Sequence, residues 1–252
     1  MEEKLIYRRE YLIHTYEVDF QGKARLDSLL NYLQDAAGGQ AQEMGFSVES
    51  LFRQGLTWVL SRYHIKIDRY PGLGEKVAVL TWPSGRSEFH ALRDYEMVDF
   101  SGKKFLAATS SWMIIGLKSK QPEPVSSLMP AEFVLQRRAL ADDFSPLPAL
   151  LASEQEIEFP VEVGHLDLNR HVNNVVYVSW ALEAMPPELL FAASPVEVEV
   201  AYRAEAVYGH SIISRVSRVD KESKEFWHQI VHGENGRELA RLRTRWQKAN
   251  QS

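Results

Sequence analysis

Residues His165 to Asn174 (HLDLNRHVNN) place a carboxylate, an amide and an imidazole at alternate positions, Asp167, Asn169 and His171. In extended backbone, alternate side chains project to one side, so the three share a face. Asp, Asn and His are seldom buried unless each is paired, which suits a reactive loop better than a core. Each residue alone has an ordinary explanation: Asn169 or His171 capping the helix that follows, Asp167 in solvent. The set, in this order, points to function.

The elements that must position this loop repeat along the chain. Tyr16-Glu17-Val18 and Val161-Glu162-Val163 each lead into a loop and an apolar helix, an offset of 145 residues. Ser101-Gly102-Lys103 and Asn235-Gly236-Arg237, then Trp112 and Trp246, match at an offset of 134. Each half reads as a strand, a loop, a helix and several hairpin-linked strands. The helices carry apolar faces at Leu26, Leu29, Leu30 and Leu33, and at Val175, Val178, Ala181 and Leu182. The strands expected are 58–67, 77–82, 90–98 and 104–114, then 196–204, 211–219, 226–232 and 239–247. Asp99-Phe100-Ser101-Gly102 and Glu234-Asn235-Gly236 read as hairpin turns. Five of the 11 prolines fall within 116–156, which reads as a crossing linker. The expected organisation is an N-terminal repeat (1–115), this linker, and a C-terminal repeat (157–252), in the α+β class. At the offset of 145, Asp167, Asn169 and His171 face Gly22, Ala24 and Leu26. One active site, in the second half, is therefore expected.

Composition narrows the chemistry. The 252 residues are 45% hydrophobic and 25% charged, ordinary for a globular chain. A net charge of −5 argues against a nucleic-acid partner. With no cysteine, disulfides, thiolate metal sites and cysteine nucleophiles are excluded. No metal or cofactor is expected. The first residues, MEEKLIYRREYLIHTYEV, do not resemble a signal or transit peptide, and no run approaches the length of a membrane span. The bacterial cytoplasm is the expected location, with no membrane partner.

Beyond the loop, the sequence resembles the acyl-acyl-carrier-protein thioesterases, the plant plastid enzymes and their bacterial relatives. The likeness runs through Leu56-Thr57-Trp58-Val59-Leu60-Ser61-Arg62, Asp68-Arg69-Tyr70-Pro71, Ala107-Ala108-Thr109-Ser110-Ser111-Trp112, Leu166 to Asn174, and Ala201-Tyr202-Arg203-Ala204-Glu205. The resemblance implies a double hotdog, each long helix wrapped by an antiparallel sheet, and hydrolysis of fatty acyl thioesters on acyl carrier protein. It carries the catalytic positions to Asp167, Asn169, His171 and Glu205. Many plant members place a cysteine after this glutamate; here the position is Ala206.

Thioester hydrolysis needs an attacking water, a base and donors for the oxyanion. Glu205 is the first choice for the base and Asp167 the second. His171 suits polarising the water or protonating the thiolate, and Asn169 positions. Backbone N–H groups of Val172, Asn173 and Asn174, at the helix start, are candidate oxyanion donors. The resemblance puts the acyl tunnel in the first half, where Gly38 and Gly39 either line it or serve close packing. Candidate contacts for the carrier protein are Lys118, Lys120, Arg137, Arg138, Arg203, Arg215 and Arg218. A homodimer is compatible with the sequence. The alternatives are an acyl-CoA thioesterase on the same fold, a non-catalytic acyl-binding module and, more weakly, a hotdog dehydratase.

Overall fold

The computed structural model describes residues 5–248, and the chain divides into two units between Asp143 and Phe144. In the first unit, apolar and alternating segments form β1 (Tyr7–Leu12), β2 (Leu56–Ile67), β3 (Lys76–Arg86), β4 (Ala91–Asp99) and β5 (Lys104–Gly116). The helices α1 (Leu26–Glu43) and α2 (Val48–Arg53) lie between β1 and β2 in the chain. The antiparallel order is β1-β3-β4-β5-β2. A short strand, β6 (Pro122–Glu123), pairs with β5, and a helical turn, α3 (Val125–Leu128), follows. The second unit holds β7 (Gln155–Pro160), α4 (Asn174–Glu183), α5 (Pro187–Ala192), β8 (Ala193–Tyr202), β9 (Ser211–Arg218), β10 (Glu225–His232) and β11 (Glu238–Lys248). Its antiparallel order, β7-β9-β10-β11-β8, reproduces the first. Each unit is a hotdog and the chain a double hotdog, as the sequence led one to expect.

The expected linker, 116–156, is divided between the units. Its first part is bound to the first sheet. Trp82 Nε1 donates to the Arg137 carbonyl (2.8 Å), and the Leu135 N–H donates to the Pro83 carbonyl (2.9 Å). The buried Asp94 carboxylate accepts from Ser84 Oγ (2.7 Å), Thr109 Oγ1 (2.6 Å), Arg138 Nε (3.2 Å) and the Ala139 N–H (2.5 Å). A fully buried carboxylate is tolerable because every donor around it is aimed at it.

Helix α1 buries Leu26, Leu29, Leu30, Leu33, Ala36, Ala37 and Gln40, the i, i+3, i+4 face of an amphipathic helix. Gly38 is off this face and exposed, with open space where a Cβ would stand. A Cβ on Gly39 would lie 2.6 Å from Tyr7 Oη. Neither glycine therefore fits the tunnel-lining reading: Gly38 faces solvent, and Gly39 admits the Tyr7 ring against the helix.

The two glycines should consequently respond in opposite ways. Gly38→Ala should raise stability by about 0.5–1 kcal/mol, because alanine is the better helix former. Gly39→Ala must displace Tyr7 and should come out at least about 1 kcal/mol less stable than Gly38→Ala. Urea denaturation of both variants measures this; equal stabilisation would contradict the packing role of Gly39.

Candidate active site

Leu166 bridges to Val172, and the five residues between them form a tight loop. The Asp167 N–H donates to the His171 carbonyl (2.8 Å), and the Arg170 N–H to the Asp167 carbonyl (3.0 Å). Asp167 Oδ1 accepts the N–H groups of Asn169 (2.8 Å) and His171 (3.1 Å), while Oδ2 accepts from Asn169 Nδ2 (3.3 Å). Both oxygens of this carboxylate hold the loop together. That is the work of a short acidic side chain in a turn.

The same loop stands in the first unit. Asp19 Oδ1 accepts from the N–H groups of Gln21 (2.8 Å) and Lys23 (3.0 Å), the Asp19 N–H donates to the Lys23 carbonyl, and Val18 bridges to Ala24. The offset is therefore 148 residues, from Asp19 to Asp167, rather than 145. It also relates the 3₁₀ turns Thr15–Glu17 and Val163–His165. Under this correction Asp19 and Gln21 are the counterparts of Asp167 and Asn169, so the first half keeps two of the three polar positions. A third copy closes the β4–β5 hairpin, where Asp99 Oδ1 accepts from Ser101 (2.9 Å) and Lys103 (3.0 Å). A loop-building aspartate is thus common to all three, with Asp167 as its second-unit copy, and Lys23 replaces His171 in the first unit.

Glu205 is set by the segment after β8. The Val172 N–H donates to the Ala206 carbonyl (2.9 Å), as the Ala24 N–H does to Pro71 (2.8 Å), which makes Tyr70 the counterpart of Glu205. His171 bridges to Val207. These bonds bring His171 Nδ1 within 3.3 Å of Glu205 Oε1, with the imidazole partly buried and the carboxylate about half exposed. Tyr177, on α4, accepts the Ala206 N–H at its hydroxyl (2.9 Å) and fixes the backbone next to Glu205. Burial pushes the Tyr177 phenol above its usual range, and the charges of Glu205 and Asp167 add to this. No spacing in the sequence points to this role of Tyr177, since a phenol aimed at the backbone beside Glu205 leaves no local signal.

Two of the expected oxyanion donors are already used. The Val172 N–H serves Ala206, and the Asn173 N–H donates to the His165 carbonyl (2.8 Å). The Asn173 side chain caps α4 by accepting the Val175 N–H (3.0 Å). Among the described residues no acceptor meets the Asn174 N–H, at the first turn of α4. Several of the basic candidates for partner contact are likewise engaged. Arg137 pairs with Glu96, Arg138 with Asp94, Arg203 with Glu238 and Arg215 with Glu156, while Arg218 lies over Phe226. Lys118 and Lys120 are exposed, with no ion pair among the described residues.

The loop geometry makes a direct prediction. Asp167→Asn keeps an Oδ1 acceptor and should keep the loop, whereas Asp167→Ala leaves the Asn169 and His171 N–H groups unmet. Amide hydrogen exchange at these two residues should accelerate at least about tenfold in the alanine variant only, the loss of about 1.4 kcal/mol of local bonding. Equal protection in both variants would contradict the assignment.

Two family descriptions match the chain: the acyl-ACP thioesterase N-terminal domain over residues 4–133, and the acyl-ACP thioesterase C-terminal domain over residues 149–248. Among curated relatives, the chloroplastic acyl-[acyl-carrier-protein] hydrolase FATB2 of Cuphea viscosissima is 27% identical, covering 99% of this chain and 65% of the relative. The chloroplastic oleoyl-acyl carrier protein thioesterase of Coriandrum sativum is 26% identical over 99% of this chain and 79% of its own length. The chain thus spans a little under two thirds of the Cuphea protein. An acyl-ACP thioesterase from Bacteroides thetaiotaomicron superposes with a TM-score of 0.89 at 26% identity, covering 98% of this chain and 100% of the other. The 12:0-ACP thioesterase of Umbellularia californica shares the fold, with a TM-score of 0.88 at 23% identity over 97% and 98% of the two chains. With both halves matched in order and the fold shared from end to end, the chain belongs to the acyl-ACP thioesterase family.

Proposed function

We propose that this protein hydrolyses fatty acyl thioesters carried on acyl carrier protein, releasing a free fatty acid and the carrier thiol. The observation that carries the reading is the His171–Glu205 pair: the loop presents His171, the segment after β8 presents Glu205, and the first-unit counterparts are Lys23 and Tyr70. Glu205 is the base: it takes a proton from water as the water oxygen attacks the carbonyl carbon. Asp167 is set aside for this role because its oxygens already hold the loop. His171, oriented through Nδ1 by Glu205, is the proton donor to the departing sulfur when the carbon–sulfur bond breaks. Asn169, tied to Asp167, positions the substrate carbonyl. The Asn174 N–H at the start of α4 is the backbone donor for the oxyanion. The names of the relatives, each a hydrolase or thioesterase acting on acyl carrier protein, support the choice of carrier.

Turnover should be measured on acyl carrier proteins loaded with chains of 8 to 18 carbons and on the matching acyl-CoA esters. The expected result is release of free fatty acid, faster from the carrier protein than from CoA at equal concentration. Asn169→Ala, His171→Ala and Glu205→Ala should each lower turnover by at least about 100-fold, with circular dichroism unchanged. Bound fatty acid without turnover would identify an acyl-binding module instead. Near wild-type rates in both the His171 and Glu205 variants would remove the proposed site.

A further inference from the structure

The catalytic loop differs from its copies at one further position. Its fourth residue has positive φ in all three: Gly22 (72°), Gly102 (83°) and Arg170 (60°). Glycine adopts this left-handed conformation freely; a long side chain does so at a cost. Only the catalytic copy departs from glycine there, and backbone outliers of this kind cluster at functional sites. The Arg170 side chain is exposed, and its guanidinium meets no partner among the described residues.

The surroundings suit a protein contact. Backbone bonds stitch three segments into one platform: the Val161 N–H donates to His210, the Gly209 N–H to Val161, and the Asn173 N–H to His165. This platform exposes Val163 (69%), Leu168 (89%) and Tyr208 (64%). The first unit has an apolar tip too, at Phe20 (68%), so the apolar rim is common to both and the guanidinium is the difference. The nearby acids are spoken for: Glu205 faces His171, and the Glu162 side chain accepts the N–H at the end of its own 3₁₀ turn. On a chain of net charge −5, an unpaired cation next to His171 draws in an acidic partner at that point.

Resting on the hydrolase reading above, we infer that Arg170, with Leu168 beside it, is a docking contact for the acidic surface of the carrier protein that brings the thioester to His171 and Glu205. It is a positioning contact made by the carrier and not by the acyl group.

The test compares the wild type with Arg170→Gly and Arg170→Glu. The substrates are dodecanoyl-acyl carrier protein, dodecanoyl-CoA and dodecanoyl-pantetheine. Arg170→Gly relieves a left-handed side chain, so its melting temperature should not fall. Its KM for the acyl carrier protein should rise about fivefold with kcat kept, the size of one exposed charge contact. Arg170→Glu should rise further, and both differences should shrink in high salt. KM for the other two thioesters should stay at the wild-type value. An unchanged KM on the carrier substrate would overturn the inference. An equal rise on dodecanoyl-CoA would do the same and assign Arg170 to the phosphate of the pantetheine arm; an equal loss on all three would make it part of the chemistry. If the wild type turned over no thioester, the hydrolase reading would fail separately. Calorimetric titration with holo-acyl carrier protein would then decide docking: weaker binding by Arg170→Glu supports it, and binding equal to wild type, or none at all, contradicts it.

Discussion

The Asp167 carboxylate, accepting the N–H groups two and four residues ahead of it, is the interaction on which the site depends. It closes a loop of five residues and thereby fixes the backbone of His171. The chain uses the same solution at Asp19 and at Asp99. A motif that recurs at three places in the chain is an architectural device, and in the second unit it gives His171, one of the two proposed reactive groups, a rigid mount. Preorganised groups lose little freedom when a reaction begins, which is why such a mount favours catalysis.

What chiefly distinguishes the second unit is His171 on that mount with Glu205 beside it. Where it has His171 and Glu205, the first unit has Lys23 and Tyr70. Lysine and tyrosine are poor proton carriers near neutrality, burial pushing the Tyr70 phenol further up still, and an imidazole beside a carboxylate is a good one. On the proposed function, the difference between the copies therefore lies in side chains and not in the fold. Tyr177 holds the backbone next to Glu205 through the Ala206 N–H, so α4 contributes to the site from within the core as well as from its first turn.

Much of this was legible in the sequence. Turn residues and alternation located β2 to β5 and β8 to β11 to within a few residues, while β1, β6 and β7 had no bounds from sequence, and the Asp-Asn-His spacing located the loop. The copy of that loop was misaligned because Tyr16-Glu17-Val18 looks like Val161-Glu162-Val163, whereas the structural match pairs His14 with Glu162 ahead of their 3₁₀ turns. That likeness hides Asp19 and Gln21 as the counterparts of Asp167 and Asn169. The helical phase alone puts Gly38 off the face set by Leu33, Ala37 and Gln40, and so in solvent. Other features had no local signal. That the Val172 and Asn173 N–H groups are spent follows from the carbonyls of Ala206 and His165, and Ala206 comes from a segment more than thirty residues further on. Glu205 was reached only through the family resemblance, since alone it reads as a strand-end carboxylate.

The central claim is that His171 and Glu205 act as one unit. A double-mutant cycle on turnover measures this directly, using His171→Ala, Glu205→Ala and the combined variant on an acyl carrier protein thioester. Because Glu205 orients the imidazole as well as accepting the water proton, His171→Ala should cost far less in the Glu205→Ala background than in the wild type. Losses that multiply, at least about 100-fold from each substitution in the presence or absence of the other, would show two independent contributions and contradict the account.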